Sequence, residues 1–397
     1  MLTMEMLQDA KKVLDGVARK TPVFQSTYIN PDADVYIKCE NMQVTGSFKL
    51  RGAYFKTASL TEEEAKKGVI ACSAGNHAQG VALAAQRKGI PAVICMPEGA
   101  PMAKVEATRS YGAEVVLVPG VYDDAAAKAT ALQQEKGYTF LHPFNDEYVI
   151  AGQGTVGLEI MEQVKDAEVV LVPIGGGGLI SGVAFAVKQI NPNCKVYGVQ
   201  AAGAPSMLNS IRDGKIETLA SVSTMADGIA VKQPGDLTFA MCQKYVDGIV
   251  TVTEDEIASA ILKLIEKHKM VAEGAGAVSV AAAMYNKVDI KGKKAVCVVS
   301  GGNVDVTVLD RIVDKALQAN GRITKLSVMV MDKPGQLTQL LTAIAGTGAN
   351  IFSVNHDRIV KDIAVSSCIV DIVAETRNKE HSDEMIEAIK AAGFEVL

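Results

Sequence analysis

Short apolar, β-branched runs at residues 68–72, 92–96 and 114–118 alternate with Ala-rich stretches at 78–88 and 102–111, whose apolar positions recur every three to four residues. Continuous apolar runs predict strands buried on both faces, and the longer spacing predicts helices with one buried face. The same rhythm resumes with strands over 168–174, 195–200 and 294–300 and a helix over 179–189. Strand and helix in alternation predict an α/β fold in which helices cover a parallel sheet. In such sheets ligands collect at strand C-terminal ends, so the three strand ends followed by glycine are expected to meet on one sheet edge.

After Asp310 the pattern changes. A charged helical stretch runs to Asn320-Gly321, a helix stop, and the domain boundary is placed there: a first domain over 1–320, a second over 323–397. The second reads as strand 323–330, helix 334–346, strand 351–357, strand 363–374, helix 382–392 and a short last strand. That βαββαβ order is the split-βαβ, ferredoxin-like arrangement.

Composition narrows the function classes. The 397 residues carry 40 Lys and Arg against 45 Asp and Glu, a net charge of −5, with no basic block to follow a phosphate backbone, so nucleic acid is not an expected partner. Mean hydropathy is +0.17, and no apolar run approaches the roughly 18 residues of a spanning helix, so no membrane partner is expected either. Acidic residues interrupt the first stretch where a signal peptide needs an apolar core, which predicts a cytoplasmic protein. The seven cysteines are odd in number, lack C-x-x-C spacing and lie mostly in strand-like runs, which predicts buried reduced thiols. The five histidines never take metal-site helical spacing, and no metal is expected.

Four segments carry candidate chemistry. Lys49 stands in Thr45-Gly46-Ser47-Phe48-Lys49 at a turn into a helix. A lysine ordinarily coats the surface, but one desolvated at a helix start can have a lowered pKa and act as an amine nucleophile. Ser73-Ala74-Gly75-Asn76-His77 follows a buried strand and opens a helix. It can be an ordinary capped turn, or a cradle whose free N–H groups suit a carboxylate. Gly175, Gly176, Gly177 and Gly178 precede Leu179 between a strand and a helix, where several N–H groups can converge on one phosphate. A dinucleotide fingerprint fails there, because Ile180 takes the third glycine position and Gln200 stands where a ribose-binding carboxylate belongs. Ser300-Gly301-Gly302-Asn303 ends another strand. Amine, phosphate cradle, carboxylate cradle and neutral hydroxyl together describe a pyridoxal-phosphate site.

With these motifs in this order, the chain resembles the fold type II pyridoxal-phosphate lyases, specifically the threonine dehydratases (threonine ammonia-lyases), over essentially its whole length. The resemblance implies a tryptophan synthase β-like, two-lobed parallel-sheet domain, with a smaller lobe over roughly 40–145. It implies that Lys49, beside Phe48, carries pyridoxal 5'-phosphate, that Asn76 flanks its ring, that Gly175 to Gly178 and Leu179 hold its phosphate, and that Ser300 faces its ring nitrogen. Ser73, Ala74, Gly75, Asn76 and His77 would hold an amino-acid substrate. Lys49 would then take the Cα proton, and β-hydroxyl loss would lead to 2-oxobutanoate and ammonia from threonine, or pyruvate from serine as a side activity.

The nearest rival of that family is serine racemase, whose second base, a serine two positions before the loop asparagine, is Ala74 here. The carboxylates of its cation site fall near Gln200 and Ser206. A non-catalytic amino-acid-sensing protein is the other alternative, although Lys49 is intact. The second domain resembles an ACT domain through Asp332, Pro334, Gly335, Gln336, Leu337, Asn350 and Ile351. That resemblance implies a branched-chain amino-acid effector, feedback on isoleucine biosynthesis, and a homo-oligomer, dimer or tetramer. A catabolic threonine and serine dehydratase is the alternative role.

Overall fold

The computed structural model describes residues 2–359 and 363–397. The chain forms two units, Met1–Asp305 and Val306–Leu397. The helix Val306–Ala319, which the sequence reading attached to the first domain, groups with the second unit.

In the first unit the expected rhythm is present: strands Val69–Cys72, Ala92–Pro97 and Glu114–Val118 alternate with helices Asn76–Lys88 and Met102–Ser110. These strands and Thr139–Phe140 make a four-stranded parallel sheet. A second, six-stranded sheet runs in the order Val23–Ser26, Asp34–Cys39, Lys294–Val299, Val169–Pro173, Lys195–Ala201, Gly248–Val252. Its first strand is antiparallel to the next and the others are parallel.

The expected single sheet edge is not what the chain forms. The glycine loop and Ser300 follow adjacent strands of the six-stranded sheet, but the 73–77 loop follows a strand of the other sheet. The motifs therefore meet across a cleft between two lobes, not on one sheet edge. Apolar periodicity identifies a strand without naming its neighbour, which is why the sequence could not separate the two sheets.

Helix Glu147–Gln163 is the girder between them. Asp146 caps it by accepting from the Tyr148 and Val149 N–H groups, and residues 149–161 are all buried. Small residues make this possible. A Cβ on Gly152 would lie 2.6 Å from the Arg51 carbonyl oxygen and the Gly52 Cα, and one on Gly157 would lie 2.9 Å from the Ala186 Cβ. Helices Lys49–Ala58 and Gly178–Ile190 thus pack onto it at backbone range.

The second unit has strands Ile323–Met331, Asn350–Asp357, Ser367–Glu375 and Glu395–Val396 and helices Gln336–Gly346 and Lys379–Ala391 in the expected βαββαβ order. The sheet is antiparallel, with the second strand beside the third, the third beside the first and the first beside the fourth. This is the ferredoxin-like order. Its core is Val328, Val330, Leu340, Ile344, Val370, Ile372, Met385 and Ile389 with their neighbours. Among the described residues no helix is long and apolar enough to cross a membrane, and all seven cysteines are buried and unpaired.

Candidate active site

Lys49 is the first residue of its helix, and the backbone around it is gripped from two sides. A Cβ on Gly80 would sit 3.1 Å from the Lys49 carbonyl carbon, while Gly152 abuts the next turn of the same helix. Ahead of it, the Phe48 N–H donates to the Ser300 carbonyl at 3.1 Å and the Gly302 N–H to the Gly46 carbonyl at 2.9 Å, so the lysine segment is sewn to the Ser300 loop.

A buried ion network anchors the helix further. Arg51 donates to both oxygens of Glu40 at 2.8 and 2.9 Å and to both of Glu159 at 2.7 and 2.9 Å. Lys38 donates to Glu159 at 2.5 Å. Burial pushes the Glu40 carboxyl up, but the Arg51 guanidinium, Lys38 and the Thr21 hydroxyl outweigh it and leave Glu40 below the ordinary carboxylate range.

The Lys49 side chain reaches a cavity of about 970 Å³, which is also lined by Phe48, Ser73 to His77, Gly175 to Leu179 and Ser300. Its ammonium donates to the Pro143 carbonyl at 2.7 Å. Burial lowers its pKa to about 8 against the opposing pull of Glu273. At pH 7 about one such amine in ten is neutral, against about one in 2,500 for an ordinary lysine.

The 73–76 loop leads into helix Asn76–Lys88, whose first two residues line the cavity. Asn76 donates to Glu273 at 2.7 Å and accepts from Asn303 at 2.7 Å. Burial, and then Asp227, raise the Glu273 carboxyl to about 7. The His77 ring turns into the fold and donates to the Leu141 carbonyl at 2.8 Å; burial and then Lys49 push it down to about 3, so it is neutral. Its part in the cradle is a backbone one.

Gly177, at φ +96°, starts the turn into helix Gly178–Ile190. A Cβ on Gly176 would land on the Phe144 ring, and one on Gly178 would lie 2.8 Å from Phe144 Cα. Thr238 fastens the loop by donating to the Gly176 carbonyl at 2.6 Å. The loop thus opens a helix N-terminus onto the cavity, a place that suits an anion. Ser300 opposes it with a neutral hydroxyl donating to the Ala275 carbonyl at 3.4 Å.

Glu273 and the pair Lys104–Asp227, joined at 2.7 Å on the cavity wall, were not found from sequence. Glu273 did leave a signal: it is the one charged residue between 270 and 286. Gln200 spends its amide locally, donating to the Ala204 carbonyl at 3.2 Å and accepting from the Leu208 N–H at 2.9 Å.

Pyridoxal phosphate fits these residues: an amine with lowered pKa, a glycine cradle for one phosphate, and a neutral hydroxyl face one cavity. Comparison with known proteins points the same way. Residues 14–301 match the family described as pyridoxal-phosphate dependent enzyme. The chain is 51% identical over 398 residues to the L-threonine ammonia-lyase of Thermotoga maritima, covering 100% of this chain and 99% of that one. The processed form of threonine deaminase isoform 2 from Solanum lycopersicum superposes with a TM-score of 0.75 at 41% identity, over 79% of this chain and 88% of that one. Maize serine racemase superposes with a TM-score of 0.75 at 37% identity, over 80% and 98%. With the family matched over residues 14–301 and with Lys49, Asn76, Gly175 to Leu179 and Ser300 on one cavity, the chain belongs to the pyridoxal-phosphate-dependent enzymes.

Proposed function

We propose that the chain is an L-threonine ammonia-lyase, releasing 2-oxobutanoate and ammonia from L-threonine, with L-serine to pyruvate as a side reaction. The observation that carries this reading is the convergence of Lys49, the glycine cradle, the 73–76 loop and Ser300 on one cavity. When bound, pyridoxal phosphate withdraws electrons from an attached amino acid, which acidifies its Cα proton and loosens its β-hydroxyl. Lys49 would hold the cofactor through its Nζ, and the same amine is the base that would take the substrate's Cα proton. The 73–76 loop and the N-terminal turn of the helix it opens bind the substrate carboxylate. Ser300, lacking a charge, would face the cofactor's ring nitrogen without holding it protonated, which would moderate the electron withdrawal the group supplies.

Racemisation needs a proton donor on the opposite face from Lys49. Ala74 lines the cavity at the position the resemblance assigns to that donor, and alanine cannot transfer a proton. Chiral chromatography of products from L-serine is the test. Pyruvate and ammonia in equal amounts, with D-serine negligible, support the lyase; D-serine forming faster than pyruvate overturns it.

The second unit is read as an ACT module that senses isoleucine or valine and feeds back on isoleucine synthesis. Its βαββαβ order and a pocket of about 490 Å³ lined by Asp332, Pro334, Gly335 and Leu337 support this. Gln336, Asn350 and Ile351 are not among that pocket's lining residues; Asn350 donates to Glu375 at 2.9 Å and Ile351 packs on the unit's core. A homo-oligomer, dimer or tetramer, and a cytoplasmic setting complete the reading, the latter supported by seven unpaired buried thiols.

A further inference from the structure

We propose that the second unit holds a divalent metal of the zinc class on Asp332, His356 and Cys368. Strand register brings the three together. Cys368 lies opposite Val330 on the first strand, and His356 lies opposite Val370 on the third. Residues two apart on a strand share a face. Asp332, just past the strand's last residue Met331, keeps the pairing by donating its N–H to the Ser366 carbonyl at 2.9 Å, and Cys368 lies two before Val370, so carboxylate, thiol and imidazole all stand on one face. One carboxylate oxygen, one imidazole nitrogen and the Cys368 sulfur lie within 4.8 Å of one another.

All three line the 490 Å³ pocket, with Cys368 buried at its floor and Asp332 and His356 exposed at its rim. A cation entering from solvent meets the rim donors first and the sulfur last. Sulfur, imidazole and a single carboxylate select zinc or a neighbouring transition metal over magnesium or calcium, which take oxygen ligands. Bonds of about 2.0–2.3 Å put tetrahedral donors roughly 3.3–3.8 Å apart, so the set closes by side-chain shifts of about 1 Å. Binding exchanges the thiol proton, released to solvent, for a metal–sulfur bond. Three protein ligands leave a fourth position for water or an added donor.

Competing partners are weak. Asp332 pairs with Arg358 at 3.0 Å, but the arginine side chain is 66% exposed, and exposed ion pairs contribute little. Cys368 Sγ donates to the Val330 carbonyl at 3.3 Å, a bond the metal replaces. The proposal does not rest on amino-acid sensing: metal and amino acid are separable ligands of one pocket, and the assay reads the metal alone.

The test is cobalt titration of the chelator-treated holoenzyme, followed by visible ligand-field absorption at wavelengths beyond the cofactor's. The expected result is one Co²⁺ per chain with the intense bands of a tetrahedral site, discharged by Zn²⁺. Cys368→Ser should abolish those bands, and His356→Gln, a rim substitution that leaves the core untouched, should weaken cobalt binding at least about tenfold. Absence of tetrahedral bands in the unaltered protein, or bands unchanged in either variant, overturns the proposal.

Discussion

Burial dominates the protonation of both Lys49 and Glu273, and each opposes the other's shift. The amine is lowered to about 8 by burial, and Glu273 opposes that shift. Because a neutral amine must attack the cofactor's carbonyl carbon, loading of the cofactor-free protein should accelerate as pH rises and level off above about 8. Removing the opposing carboxylate with Glu273→Gln should move that midpoint to lower pH. Stopped-flow absorbance during cofactor addition measures both; a midpoint near 10, or one that Glu273→Gln leaves in place, contradicts the assignment. The cradle has its own residue-scale test. Gly176→Ala puts a methyl group on the Phe144 ring, an overpacking that should weaken cofactor affinity by about 1–3 kcal/mol, roughly 5- to 150-fold, in an equilibrium titration. These two residues differ in legibility. Gly176 was readable because four glycines between a strand and a helix have few other uses. Glu273 was not singled out, since a carboxylate in an Ala-Gly run gains its meaning from Asn76, nearly two hundred positions earlier.

At the scale of elements, the position of Lys49 depends on how its helix is held. Arg51 joins it to Glu40 and to Glu159 on helix Glu147–Gln163 with almost no solvent contact. Glu159→Ala leaves two buried cations short of a partner and should destabilise the protein by about 3–5 kcal/mol in urea unfolding, whereas a loss under about 1 kcal/mol would show that the network is solvated. Glu40, held below the ordinary carboxyl value of 4.5, contributes stability that is present above that pH and is lost as pH falls through its lower folded value. Replacing it with Gln should therefore flatten the acid limb of the stability profile. Most strands and helices were legible from periodicity, with 114–118 matching to the residue. The pairing of those strands into two sheets was not, because sheet neighbours are chosen by long-range packing. Neither was the ion network, whose members span 38 to 159 and look like surface charges one at a time.

Across the whole molecule, the two units pose separable questions. The first carries all the residues proposed for the lyase chemistry, and the second carries a pocket of its own. If the second senses branched-chain amino acids, L-isoleucine should change the rate of threonine turnover, and Leu337→Ala in its pocket should blunt that response. Identical rates with and without L-isoleucine or L-valine would assign the unit to assembly. The βαββαβ order was legible because each element is short and locally patterned. The Asp332, His356 and Cys368 cluster was not, since only strand register unites residues so far apart in sequence. The measurement that bears most directly on the central claim is the initial rate of 2-oxobutanoate release from L-threonine by the holoenzyme and by Lys49→Ala. The account predicts turnover with equal ammonia release in the first and a fall of about 10³-fold or more in the second. No 2-oxobutanoate from the unaltered protein, or undiminished release without Lys49, would contradict it.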